Sequence, residues 1–241
     1  MGHSASVTFK VLSVPITVGP MIVVGLLVVG VLSRLTGAFL VEWVVLGLVA
    51  LLIHELGHAL AFRRYGVKSS ISFWVLGGFT VPDDQEAAAR LSDRQLLVVT
   101  VAGPLVGLVI GVVTLAVGLA AGDAARSIRV PIFLWLFVNL GWALFNLMPV
   151  SSLDGGQALE HLAGAVFGRT GRAIGIAAGL LGSGLIAVLA AQLALYSVAF
   201  VAVVFGLLNP DPYRQLRYEI WPARPPDPKP NSTTNRDFWT D

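Results

Sequence analysis

The 241 residues contain no cysteine. That one absence excludes disulfides, thiolate metal sites and cysteine nucleophiles. Charge is scarce as well: 12% of residues are Asp, Glu, Lys or Arg, against roughly 25% in soluble domains. With 56% hydrophobic residues, this balance places the chain among membrane proteins, with the lipid bilayer as its surroundings. The net charge is only +2, and the basic residues are scattered without a stacking platform. Nucleic acid is therefore excluded as a partner. Histidine is rare too, at four residues, so two of them close together carry information.

Crossing the hydrocarbon core takes about 20 apolar residues. The blocks 11–33, 35–62, 95–122 and 130–153 each qualify. A last block, 173–208, has 36 uncharged residues, about 54 Å as one helix, so two spans turning near 190–196 are expected. Six spans leave Arg34, Arg126 and Arg129 on one side and the other 13 of the 16 basic residues on the opposite side. By the positive-inside rule both termini are then cytoplasmic. The expected fold class is an all-α polytopic membrane protein of six transmembrane helices. Between helices 2 and 3, residues 69–82 alternate like a strand around Gly77-Gly78, a turn signal, and predict a membrane-associated β-hairpin. Residues 1–208 form the expected core. Residues 209–241 hold seven prolines and are expected to be a disordered cytoplasmic tail.

The second span ends in LLIHELGHALAF, residues 51–62. Polar groups in a span cost free energy and usually mark function. His54 and His58 are i and i+4, on one helical face, and neutral imidazoles so placed can bind one zinc ion. Glu55 beside them can hold a water and take its proton. A catalytic zinc site needs a third protein ligand, and the candidates are Glu42, Asp154, Glu160 and His161. Glu42 lies about 18 Å along the helix, out of reach. The span count brings Asp154 to the cytoplasmic end of the fourth span, at the depth of the histidines. Pro149 and Gly155-Gly156 shape the backbone around it. Asp154 is preferred over His161, which is expected to leave along the next segment.

HELGH in one span and NLMPVSSLDGG in a later one resemble the paired signatures of the site-2 protease family of intramembrane zinc metalloproteases. The resemblance covers roughly residues 40–160 and includes Ala102-Gly103-Pro104 and the strand ending in Gly77-Gly78. It implies His54, His58 and Asp154 as zinc ligands and Glu55 as the catalytic base, with Asn146 at the second motif's asparagine. No PDZ or CBS module fits within these residues. The reaction expected is metal-assisted peptide hydrolysis, with Asn146, and Asn139 beside it, as donors to the substrate backbone or oxyanion. Asn139 serves equally well as an interhelical hydrogen bond. Single-span membrane proteins are the expected substrates, made accessible by strand addition at the 69–81 hairpin; capping of the bundle is the competing role for that hairpin. The expected location is a prokaryotic plasma membrane. A protease acting at the membrane surface is disfavoured because His54 lies within the apolar run. A metal-binding transporter or sensor is the alternative from another class, and it would not need Glu55.

Overall fold

The computed structural model describes residues 6–74, 77–122, 129–150 and 152–192. It is mostly helical, with one small sheet. Two strands open it, β1 (Val7–Val11) and β2 (Val14–Val18), followed by helix α1 (Pro20–Leu32). Helix α2 (Gly37–Arg64) leads into β3 (Ser69–Trp74) and β4 (Gly77–Pro82). Then come α3 (Gln85–Ala89), α4 (Asp93–Ala121) and α5 (Arg129–Leu136). A π-helical turn, Phe137–Gly141, joins α5 to α6 (Trp142–Asn146), and α7 (Asp154–Gln192) closes the described chain.

Helix α2 occupies the second expected span and α4 the third. α4 starts in a full capping box, with Ser92 and Gln95 satisfying each other's backbone N–H groups. Both helices are long and apolar enough to cross a membrane, and α7 is so only when its two arms are counted as one length.

The first expected span is corrected. Residues 7–18 are a β-hairpin whose two-residue turn, Leu12-Ser13, has positive φ at both positions (49° and 65°). That is the twist hairpin turns require, here without the usual Asn or Gly. The strands resemble an apolar span because Val, Ile and Phe suit both settings. α1 keeps only 13 residues, about 20 Å. The sheet therefore has four strands in the order β1-β2-β3-β4, with β2 and β3 parallel and the other pairs antiparallel. Ile16, Ile71 and Phe73 from its centre pack with Ile22 and Leu51 in the main apolar cluster. Pro15 sits just before the β2–β3 pairing, which begins at Ile16↔Ile71, so its missing N–H breaks no bond there. Gly77 and Gly78 are not the turn: they open β4, paired with Trp74 and Phe73.

The fourth expected span is also corrected. Its helix ends at Asn146, and Asp154 begins the next one instead of closing this one. In the break, local bonds such as Val150 N–H to Met148 O (2.7 Å) and Leu153 N–H to Val150 O (2.9 Å) satisfy the backbone, as apolar surroundings demand. α7 is a helical hairpin. It reverses at Gly168, where φ 61° and ψ −138° suit only glycine. Beyond the reversal, Gly171 closes on Ala163, Gly175 on Glu160 and Gly182 on Pro149, so close that a Cβ at any of the three would strike backbone. Asp93 and Arg172 tie this hairpin to α4 through bonds of 2.8 and 3.0 Å, and His161 Nδ1 lies 3.6 Å from the same carboxylate. The turn expected near 190–196 extends beyond the described residues, and the expected tail, 209–241, lies wholly outside them.

Candidate metal centre

The site is built where α2 crosses α4. The crossing is tight because Gly57 meets the Ala102 carbonyl and Gly103: a Cβ at Gly57 would sit 2.8 Å from Ala102 O. Without a hydrophobic force between helices in lipid, such small residues let backbones approach and pack. Gly103 does more. A Cβ there would occupy the place of the His58 imidazole. The approach leaves His58 Nδ1 2.8 Å from Val99 O. Nδ1–H donates to that carbonyl, which fixes the tautomer and presents the Nε2 lone pair inward, the usual orienting bond of a metal-ligating histidine.

Three ligand atoms converge. His54 Nε2 lies 3.1 Å from Asp154 Oδ2 and 3.2 Å from His58 Nε2, and His58 Nε2 lies 3.4 Å from Asp154 Oδ2. Asp154 reaches them because Gly155 nestles against the Leu147 and Met148 carbonyls, where a Cβ has no room. Both histidines are buried and the Asp154 side chain is 15% exposed. Ligands at 2.0–2.1 Å from a tetrahedral zinc stand about 3.3 Å apart. The donor set, spacing and burial fit that ion, and two imidazole lone pairs facing a carboxylate gain most from a cation between them. Among the described residues this is the one group of three or more His, Asp or Glu side chains that could hold a metal.

Glu55 is buried beside the ligands. Thr80 of β4 donates to Glu55 Oε2 at 2.8 Å and reaches its main-chain O at 3.0 Å. Gly78, one register step away, leaves the glutamate its space, since a Cβ there would meet Glu55 Cγ at 2.8 Å. The sheet thus aims the base.

Of the residues expected from sequence, His54, His58 and Asp154 meet, with Glu55 adjoining. Asn139 and Asn146 are buried, but each Nδ2 donates to its own helix, to Trp135 O (2.9 Å) and Trp142 O (3.0 Å). Glu42 is not in the group, and His161 faces Asp93 instead. Sequence reasoning missed Thr80, Gly78 and Gly103 as shapers of the site. Only the glycines carried a signal, as residues needed for close approach.

Residues 43–123 match the model of Peptidase family M50. Rip3 of Mycobacterium tuberculosis is 34% identical over 116 residues, 47% of this chain and 28% of Rip3. Zinc metalloprotease MJ0392 of Methanocaldococcus jannaschii is 27% identical over 164 residues, 66% of this chain and 46% of the relative. The structure is similar to that of the site-2 protease from Methanocaldococcus jannaschii, with a TM-score of 0.57, 22% identity, and coverage of 84% of this chain and 92% of that one. The chain thus carries a segment similar to Peptidase family M50 within a fold similar to that of a site-2 protease. It spans less than half the length of these two curated relatives. The family match holds His54, Glu55, His58 and Gly103 and stops before Asp154, which only the fold returns to the histidines.

Proposed function

We propose that this protein is an intramembrane zinc metalloprotease that hydrolyses peptide bonds within or near transmembrane segments of single-span membrane proteins and releases fragments to the cytosol. The observation that carries this reading is the convergence of Asp154, at the start of α7, on His54 and His58 beside Glu55, all three buried in the apolar helix α2. The side chains of His54, His58 and Asp154 would hold the zinc. When bound, it would lower the pKa of water towards about 7 and polarise a carbonyl as a Lewis acid.

The chain's own residues supply the rest. Glu55 takes a proton from the attacking water and delivers it to the leaving amine, so the carboxylate is regenerated each turnover. The Thr80 hydroxyl holds Oε2 and keeps the base turned to one side. Each Asn139 and Asn146 amide has a second N–H beyond the one spent on its helix, and we assign these to substrate contact. An extended substrate adds to the outer edge of β4, the last strand of the sheet among the described residues.

The proposed topology has six crossings, five of them in the described residues: α1, α2, α4, the stretch from α5 to Gly168, and the return arm of α7; the sixth expected span lies outside the described residues. α1 is short for the bilayer, and local thinning accommodates it. Both termini are cytoplasmic, the membrane is a prokaryotic plasma membrane, residues 1–208 are the protease core, and 209–241 is a cytoplasmic tail.

The test is metal content by elemental mass spectrometry together with hydrolysis of a detergent-solubilised transmembrane peptide. One zinc per chain is expected in wild type and in Glu55→Gln, with cleavage lost in Glu55→Gln. A Glu55→Gln protein that still cleaves would end the reading. So would folded wild type that takes up no zinc.

A further inference from the structure

Trp142 stands where the π-helical turn, the sheet and the ligand histidines meet. The turn at Phe137–Gly141 widens the helix just before it, a distortion frequent at functional sites. The indole packs against the sheet's apolar cluster and stacks on Phe145 at 5.7 Å between centroids. Edge-on, it faces His54, with 6.5 Å between ring centroids. Its Cζ2 lies 3.5 Å from the point a Cβ on Gly77 would occupy. Gly78, the next residue, gives the same freedom to Glu55. The two glycines that open β4 therefore admit the base and the indole to one stretch of strand.

The indole Nε1 is buried and has no hydrogen-bond partner among the described residues. Apolar packing does not need that N–H, and a donor withheld from water without an acceptor costs free energy. The ring edge nearest Gly77 is Cζ2–Cη2, and Cζ2 is bonded to the ring carbon that carries Nε1, so the donor adjoins that edge. The two asparagines nearby have each spent one N–H on their own helix. An extended peptide paired along β4 offers main-chain carbonyls at the strand's repeat.

We propose that the Trp142 indole N–H is a substrate-binding donor, bonding a main-chain carbonyl of the peptide laid along β4 next to the bond to be cut. The proposal rests on the proteolytic reading above. Its substrate class is an unfolded, extended segment, because a helical segment has already bonded its carbonyls internally.

The test uses the full chain in detergent, zinc-loaded, with Glu55→Gln to prevent hydrolysis and tryptophan labelled with 15N at the indole. The probe is an acetylated, amidated decapeptide of alternating leucine and alanine. One of six indole cross-peaks, the one absent from Trp142→Phe, should move downfield as peptide is added. Peptide affinity should fall about tenfold in Trp142→Phe, the worth of one hydrogen bond, with zinc content unchanged. Equal affinity for both proteins with an unmoved cross-peak overturns the proposal and leaves the protease reading intact. A peptide that binds neither protein, and is not cleaved by wild type, overturns both. If Trp142→Phe loses zinc and fold, the cross-peak on the Trp142-containing protein decides, with the indole assigned by replacing the other five in turn.

Discussion

One methyl group at position 103 would occupy the space of the His58 imidazole. Gly103→Ala should therefore expel His58 from the ligand set and cut zinc occupancy at least tenfold while α2 and α4 remain helical, as circular dichroism and metal analysis would show. Thr80 acts on the other half of the site. Thr80→Val removes the hydroxyl that holds Glu55 Oε2 and should lower kcat about tenfold, the worth of one hydrogen bond to a charged group, with one zinc per chain retained. A zinc loss in Thr80→Val, or an unchanged kcat, would contradict this account of the sheet. At this scale the sequence was highly legible for His54, Glu55 and His58, because a fixed i, i+4 spacing determines one helical face. It was silent on Thr80, whose role depends on a strand register that no local pattern states.

Among the elements, the α7 hairpin depends on two features. Gly168→Ala forces a side chain into a backbone conformation reserved for glycine, and should cost about 1–3 kcal/mol, read as a lower midpoint in SDS titration. The Asp93–Arg172 pair is nearly buried, with side chains 5% and 13% exposed. Asp93→Leu alone leaves the guanidinium uncompensated and should destabilise by about 3–5 kcal/mol. The double variant Asp93→Leu/Arg172→Leu should recover most of that loss; equal loss in both would mean the pair does not couple. The hairpin was only half legible. Gly175 and Gly179 stand four residues apart in the sequence, a spacing that suits close helix packing, but glycine spacing does not say which neighbour is packed or that the chain reverses at 168. The opening strands were misread for a related reason: a run of Val, Ile and Phe satisfies lipid and sheet alike, and the turn at Leu12-Ser13 lacks the residues that announce one.

For the whole molecule, the absence of cysteine gives a clean background for mapping sidedness. Arg34→Cys and Arg64→Cys bracket α2, a 28-residue helix about 42 Å long. In intact cells a membrane-impermeant maleimide should label the first and not the second. The reverse pattern would invert the proposed orientation and place the site toward the outside. The span count rested on hydropathy and charge asymmetry, which register depth and side but not where a helix breaks. That is why Asp154 was chosen correctly as a neighbour of the histidines while its helix was not.

The proposed ligands His54 and Asp154 are separated by 100 residues of chain. During synthesis at roughly 5–20 residues per second, α2 is complete some 5–20 s before Asp154 has been added, and longer still before the α7 arm that seats it has left the ribosome. Until then two histidines and a glutamate sit in the membrane as an unfinished centre. On the proposed function, the nascent chain, itself a set of apolar spans, thus emerges beside a site that is still unable to cut it.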